Sequence, residues 1–188
     1  MIIFLWREKV TESLSITVLT EIKGDHDIVL RPISDTDTNK IVAWRNQDFV
    51  RKNFIYRKDF TTESHKDWLE TVIKAKKAIQ YIIEYKSFPI GSIYIRDIDT
   101  CNKSGELGIF IGERGYQKKG LGTEVIKMFC LQCEQWGFHR IFLRVLEENQ
   151  GAKRCYLNSG FQIEGIAKEM VRIDGEYKNI LFMAKVFN

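Results

Sequence analysis

Apolar and polar positions change their spacing several times along this chain, and each change marks an element. Ile28–Arg31 reads as a short strand stopped by Pro32, which has no N–H to give a ladder. Ser34 or Asp35 then stands where a helix cap belongs, ahead of a helix reaching about Trp44. A second helical stretch runs from about Thr62 to Lys76, with Trp68, Leu69, Val72 and Ile73 on one face. Three strand-like segments follow, Ile79–Tyr85, Ile90–Asp97 and Glu106–Gly112, the first two joined by a turn around Ser87-Phe88-Pro89. Gly120 to Trp136 returns to helical spacing, with Val125, Ile126, Phe129, Cys130 and Cys133 on its apolar side. Ile141–Leu146 is strand-like, and residues 150–158 form a helix closed by Ser159-Gly160. Phe161–Ile173 and Tyr177–Phe187 make a β pair around the Asp174-Gly175 turn. The order β-α-α-β-β-β-α-β-α-β-β predicts an α/β fold, a mixed sheet flanked by helices.

Residues 1–26 follow this pattern least. Ile16–Leu19 has strand character and Lys23-Gly24-Asp25 reads as a turn, so an N-terminal extension or accessory hairpin is expected before a main domain over residues 27–188. The 188 residues suffice for one domain with a proper core, and 44% hydrophobic with 29% charged residues suits a globular protein. No apolar run approaches the roughly 20 residues of a membrane span. The apolar start, Met1 to Trp6, is too short for a signal-peptide core, so a cytoplasmic protein with no membrane partner is expected.

The four cysteines, Cys101, Cys130, Cys133 and Cys155, are then expected as free thiols. Cys130-x-x-Cys133 lies inside an apolar helical stretch with no second pair, which predicts core rather than a metal site. His26, His65 and His139 form no ligand constellation, and no metal is expected. A net charge of +4 is too small to indicate nucleic-acid binding, and no groove-reading motif accompanies it. An anionic small ligand accounts for it as well.

The strongest chemical signal is Gln117-Lys118-Lys119-Gly120-Leu121-Gly122-Thr123, placed after a strand and opening a helix. Two glycines in three residues let the backbone approach an anion closely. The first N–H groups of a helix lack internal partners and lie at the positive end of its dipole, which suits a pyrophosphate. Lys118 and Lys119 add charge for a further phosphate. A P-loop would need Lys-Ser/Thr where Leu121-Gly122 stands, and a dinucleotide fingerprint would need glycine where Val125 stands.

Gln117-x-x-Gly120-x-Gly122 resembles the pyrophosphate loop of the GNAT superfamily of acetyltransferases. Gly105-Glu106-Leu107-Gly108-Ile109-Phe110-Ile111-Gly112 resembles that family's cofactor strand, and residues 149–161, with Asn149, Ala152, Tyr156 and Gly160-Phe161, resemble its second cofactor segment. Asp174-Gly175-Glu176-Tyr177-Lys178-Asn179 followed by Met183 is similar to the C-terminal hairpin of the branch holding ribosomal-protein N-terminal, polyamine and amino-sugar acetyltransferases. The resemblance spans roughly residues 28–187. It implies a GNAT-like mixed, mostly antiparallel sheet and acetyl-CoA as cosubstrate. A homodimer is common among such relatives and stays open here.

By the same resemblance, acetyl-CoA would be held by the loop Gln117–Thr123, by main-chain groups near Ile109 and Ile111, and by Asn149. A main-chain N–H near Ile109 would polarise the thioester. Glu106 stands where related enzymes keep a general base; the alternative is that it orders water or pairs with a cation. Tyr156 stands where the family keeps a proton donor to the departing thiolate. Trp44, Arg45, Asn46 and Arg51 lie in the region that lines the acceptor pocket. With His65 and Trp68, they look most like enzymes acting on nucleotide-linked amino sugars, where arginines hold phosphates; in the alternative reading Trp44 is core and Arg45 surface. Acceptors left open are a small-molecule amine (amino sugar, its nucleotide, or polyamine) and a peptide N-terminus, beside a non-catalytic acyl-CoA-binding role. The basic residues between Trp44 and Lys58 disfavour a polycation.

Overall fold

A computed structural model of the protein describes residues 14, 16 and 19–187. Its eight strands are β1 (Ile22–Lys23), β2 (Ile28–Pro32), β3 (Ile79–Tyr85), β4 (Phe88–Asp99), β5 (Ser104–Ile111), β6 (Arg140–Leu146), β7 (Gln162–Ile173) and β8 (Glu176–Val186). They form one sheet in the order β1-β2-β3-β4-β5-β6-β8-β7, antiparallel throughout except between β5 and β6. Helices α1 (Thr38–Asn46), α2 (Asp48–Arg51) and α3 (Thr62–Trp68) cover one face, and α4 (Leu121–Gln135) and α5 (Gln150–Asn158) the other. The expected mixed, mostly antiparallel sheet is the one observed, with β1 and α2 in addition. Both additions are too short for a period to reveal.

Local chemistry explains where the elements begin. Asp37 accepts from the Ser34 backbone N–H (2.8 Å) and from Arg31 (2.9 and 3.0 Å), and Arg31 also reaches Glu84 (3.0 Å). One arginine thus ties the start of α1 to β2 and β3. Thr61 and Ser64 cap α3 reciprocally. The stretch predicted as helix to Lys76 is α3 followed by a wider π turn over Leu69–Ile73. Within it the Thr71 hydroxyl donates to the Asp67 carbonyl (2.7 Å), a back-bond that loosens helical geometry.

The turn between β3 and β4 falls earlier than expected, on Lys86 and Ser87, whose φ values of 52° and 61° make a mirror-image hairpin turn. Pro89 belongs to β4, next to a bulge in which Ile90 is the extra residue opposite Ile83 and Glu84, and its missing donor is tolerated there. The outermost strand, β7, carries two bulges against β8, and Glu169 within it has φ 53°. Of the segment Ile16–Leu19 only Ile16 and Leu19 are described, and both pack against the main core.

That core lies under α4 and α5. Val125, Ile126, Phe129, Cys130 and Cys133 are all fully buried there, against Tyr81, Ile93 and Ile95. Burial pushes the Cys130 thiol up to about 12, so it stays protonated and unreactive. A smaller cluster on the α1 face joins Ile41, Trp44 and Val50 to Ile82 and Phe110. Among the described residues no helix is long and apolar enough to cross a membrane.

The feature that positions the site is the parallel pair. β5 and β6 match at Ser104↔Arg140, Gly105↔Ile141 and Glu106↔Phe142 only, although β5 runs on to Ile111 and β6 to Leu146. Beyond Glu106 the two strands part and leave a gap open toward their C-terminal ends. On the α1 face, Trp44 lies over Gly112 just past β5, so closely that a Cβ there would sit 2.2 Å from Trp44 Cγ. Gly112→Ala is therefore expected to cost about 1–3 kcal/mol through overpacking. A urea midpoint equal to the wild type's would show that this contact does not limit packing.

Candidate active site

Gly112 donates to the Ile90 carbonyl (2.8 Å). Antiparallel ladders alternate, so Phe110 and Gly108 also bond toward β4, and Leu107, Ile109 and Ile111 turn their main-chain groups into the gap. The Gln117 side chain closes one of these, donating to the Ile111 carbonyl (3.0 Å). The Leu107 N–H still completes the last bridge to β6, at Phe142, so what remains is a short strand edge with a free acceptor at Leu107, a free donor and acceptor at Ile109 and a free N–H at Ile111, the pattern to which an extended ligand can bond as a strand would.

The loop after β5 ends in a second set of free donors. Lys118 (φ 59°) and Gly120 (φ 83°) take left-handed torsions, and Gly120 is the residue before α4. The backbone N–H groups of residues 118–122 have no hydrogen-bond partner among the described residues. Five consecutive donors at the positive end of a 15-residue helix make an anion cradle. The two glycines serve different ends. A Cβ at Gly120 would meet nothing, so that glycine supplies torsion and open access. A Cβ at Gly122 would lie 3.3 Å from Cys155 Sγ, so that glycine lets the first turn of α4 approach α5. Thr123 Oγ1 and Cys155 Sγ are 3.2 Å apart at the same contact. Lys118 and Lys119 are exposed beside the cradle.

On α5, Asn149 caps the helix by accepting from the Ala152 N–H (3.1 Å), which leaves its side-chain NH2 free for another acceptor. Tyr156 is buried and packs on Phe161. Burial, with smaller contributions from Cys155, Tyr94 and Glu106, pushes its phenol well above the ordinary tyrosine range. Among the described residues its hydroxyl makes no hydrogen bond.

Glu106 sits at the last paired position of β5, where the gap begins, with its side chain 7% exposed. Oε2 accepts from Arg96 Nε (3.2 Å) and Nη2 (3.0 Å) and from Arg144 Nη2 (3.0 Å), and Oε1 accepts from Arg144 Nε (2.9 Å). Burial alone would raise this carboxyl, but the hydrogen bonds and charges of Arg144 and Arg96 outweigh it and hold the group below the usual range. Glu106 is thus an ionised, weakly basic carboxylate paired with two cations. Nothing in the sequence pointed to Arg96 or Arg144. Only the strand register, Arg96 opposite Glu106 and Arg144 two residues beyond Phe142, brings them together.

The four residues expected to line an acceptor pocket divide. Trp44 is 2% exposed, donates to Glu113 (2.9 Å) and offers an acceptor no surface; as the alternative reading held, it is core. Asn46 is structural, exchanging two hydrogen bonds with the Phe60 backbone (2.7 and 3.0 Å). Arg45, which that alternative placed at the surface, is instead half-buried between the rings of Phe54 and Phe60, 4.0 and 4.3 Å from their centroids. Arg51 pairs with Asp59 (2.8 Å) and lines a cavity of about 440 Å³ with Lys52, Arg57, Arg114, Phe49 and two aspartates, Asp48 and Asp174. Arg114 follows β5 and Asp174 is at the tip of the β7–β8 hairpin, so this cavity lies at the open end of the gap.

The model of the acetyltransferase (GNAT) domain matches residues 27–162. Over 163 residues the chain is 24% identical to spermidine N(1)-acetyltransferase of Escherichia coli K12, covering 84% of this chain and 85% of that protein. It is 25% identical over 147 residues to an uncharacterised protein of Methanocaldococcus jannaschii, covering 76% of this chain but only 29% of that longer protein. The fold superimposes on spermidine N-acetyltransferase from Vibrio cholerae, solved with CoA and spermine, at a TM-score of 0.80 and 22% identity over 85% of this chain and 95% of that one. Microcin C7 self-immunity acetyltransferase, solved with acetyl-CoA and AMP, gives 0.75 at 20% identity over 87% and 94%. A domain match reaching from β2 into β7, across the parting of β5 and β6 and the cradle before α4, shows that the chain belongs to the acetyltransferase (GNAT) family.

Proposed function

We propose that this enzyme acetylates a primary amine carried by an anionic small molecule, a nucleotide-linked amino sugar being the acceptor that fits best. Membership of the family makes it an acetyl-CoA-dependent N-acetyltransferase. The observation that carries the acceptor reading is the charge of the cavity at the mouth of the gap, with four cationic side chains against two carboxylates. Asp48 and Asp174 are already paired, with Arg51 and Arg57. A spermidine-like polycation, the acceptor named for the Escherichia coli relative, would meet this surface unfavourably, whereas phosphates suit it. The structural neighbour that holds AMP supports the same direction.

In this reading the cradle at residues 118–122 takes the pyrophosphate of acetyl-CoA, with Gln117, Lys118, Lys119, Gly120, Leu121, Gly122 and Thr123 as the loop. The free edge at Ile109 and Ile111 takes the pantetheine arm, and Asn149 offers its amide. The amine attacks the thioester directly in a ternary complex. A main-chain N–H at Ile109 faces the developing oxyanion, and Tyr156 gives its proton to the departing thiolate. Glu106, expected from the sequence as a candidate general base, is in this reading a fixed carboxylate that orders a water at the remaining lone pair of Oε1. The amine proton leaves through that water. Arg96 and Arg144 set two guanidiniums against this one carboxylate, and like charge favours the neutral amine needed for attack.

Gly120→Ala puts a side chain into a left-handed torsion with no clash, so it should cost only about 1 kcal/mol of stability. It should nonetheless weaken acetyl-CoA about tenfold in calorimetry by crowding the cradle; unchanged affinity would remove the loop from that role. Tyr156→Phe should lower kcat about a hundredfold with little change in KM for acetyl-CoA. In the wild type the raised phenol should hold its proton beyond pH 10, so no alkaline loss of kcat should begin below that pH. A wild-type kcat in the variant would end the acid assignment. Thiol release should be seen with amino-sugar nucleotides in a panel that also holds polyamines and N-terminal peptides, and turnover of polyamines alone would overturn the acceptor reading.

A further inference from the structure

Two polar groups on the α1 face have no partner. The Arg45 guanidinium has five N–H donors and, among the described residues, neither a hydrogen bond nor a carboxylate within ion-pair distance. It is held between Phe54 and Phe60 by ring contacts alone. A half-buried cation without an oxygen partner is costly to keep. His65, on α3, is 1% exposed. Its Nδ1 is 3.1 Å from the Thr38 hydroxyl, and its Nε2 is buried with no hydrogen-bond partner. The two groups meet at Phe60, which packs against the imidazole at 5.8 Å between ring centroids and against Arg45 at 4.3 Å. Burial and the charge of Arg45 push the His65 pKa down, so the ring is neutral. In the tautomer in which the Thr38 hydroxyl donates to Nδ1, the His65 Nε2 carries the hydrogen and is a second unused donor, and that is the tautomer an anion beside it would select.

Tyr94 and Arg96, which project from β4 on this face, are the charged or titratable neighbours that Arg45 feels, and Arg96 is bonded to Glu106. Arg45 is therefore one residue removed from the carboxylate at the apex of the gap, with Arg96 between them, and His65 lies on the far side of Arg45, toward Asp35 and Asp37. The neighbouring Arg31, Arg96 and Arg144 each have a carboxylate, and among the described residues Arg45 has none.

We propose that Arg45 and His65 form an interior oxyanion subsite that binds an acidic group of the acceptor close to its reacting amine. The subsite rests on the reading of the α1 face as the acceptor side, and it adds a specificity to it: the acceptor carries a phosphate or carboxylate within a short reach of the nitrogen. Arg45 supplies a planar fork for two oxygens, and the neutral His65 supplies one N–H. An amine without such a group leaves both donors unpaired again, so the subsite discriminates against uncharged and polycationic amines.

The test uses the full chain saturated with CoA, so that the cradle before α4 is filled. Inorganic phosphate and, separately, acetate are titrated while the imidazole resonances of the three histidines are followed by NMR, with His65 identified through His65→Gln. The His65 signal should move to saturation with one of the two anions, which tells phosphate from carboxylate as the source. Affinity should fall at least about tenfold in Arg45→Met and recover in part in Arg45→Lys, which keeps the charge but loses the fork. Arg51→Met should leave the His65 response in place. A His65 signal that neither anion moves, or that moves equally in Arg45→Met, overturns the subsite. Saturable binding that needs Arg45, together with turnover of an amino acid but not of nucleotides, keeps the subsite and overturns only the nucleotide reading. Nucleotide turnover with KM unchanged in Arg45→Met overturns the subsite and keeps the nucleotide.

Discussion

One carboxylate, Glu106, joins three strands at the point where the sheet divides. Arg96 reaches it from β4 and Arg144 from β6, both on the α1 face, and immediately beyond it β5 and β6 stop pairing. A sheet that parts leaves main-chain donors and acceptors without partners, and such a parting widens or closes unless something fixes its apex. The two guanidiniums and the carboxylate fix it. A buried ion cluster of this kind adds little net stability compared with a well-packed apolar one, but removing its centre would leave two arginines facing each other. Its value lies in geometry, because the width of the gap is set from that point outward.

The chemistry on either side of the gap follows from that placement. On the α4 face the unpaired edge of β5 and the free N–H groups before α4 suit a long anionic cosubstrate. On the α1 face charge is mostly positive and largely committed: Arg31 to Asp37 and Glu84, Arg51 to Asp59, Arg57 to Asp174. Paired arginines build walls, while the unpaired ones, Arg45 and Arg114, are the groups with capacity left for a ligand. In the proposed reading an amine entering there stands among cations, and it is most stable as the neutral species that can attack.

Much of this was legible in the sequence, for reasons that differ from element to element. The helix over Leu121–Gln135 was legible because its apolar residues recur at helical spacing, and Gly120 because few residues tolerate the torsion before it. The strand pair around Asp174-Gly175 was legible from a turn that demands those residues. Trp44 shows the limit. Its burial depends on Gly112, far along the chain, where the absence of a side chain makes room for its ring. The Arg96–Glu106–Arg144 cluster was not legible, since three charges on separate strands become neighbours only through register. The division of labour between Gly120 and Gly122 was hidden likewise, because Cys155, which crowds the second, belongs to another helix.

The bond from the Gln117 side chain to the Ile111 carbonyl links the strand edge to the loop that follows it. The cradle and the gap are thereby mechanically one piece, a stretch of chain folded back and pinned to itself. If the two hold opposite ends of one cosubstrate, the span between them is an internal gauge. A carrier whose arm matches it delivers its acyl carbon level with the apex at Glu106, and a shorter or longer carrier delivers it out of step. Selection among acyl donors would then be made by length, ahead of any contact with the acyl group itself.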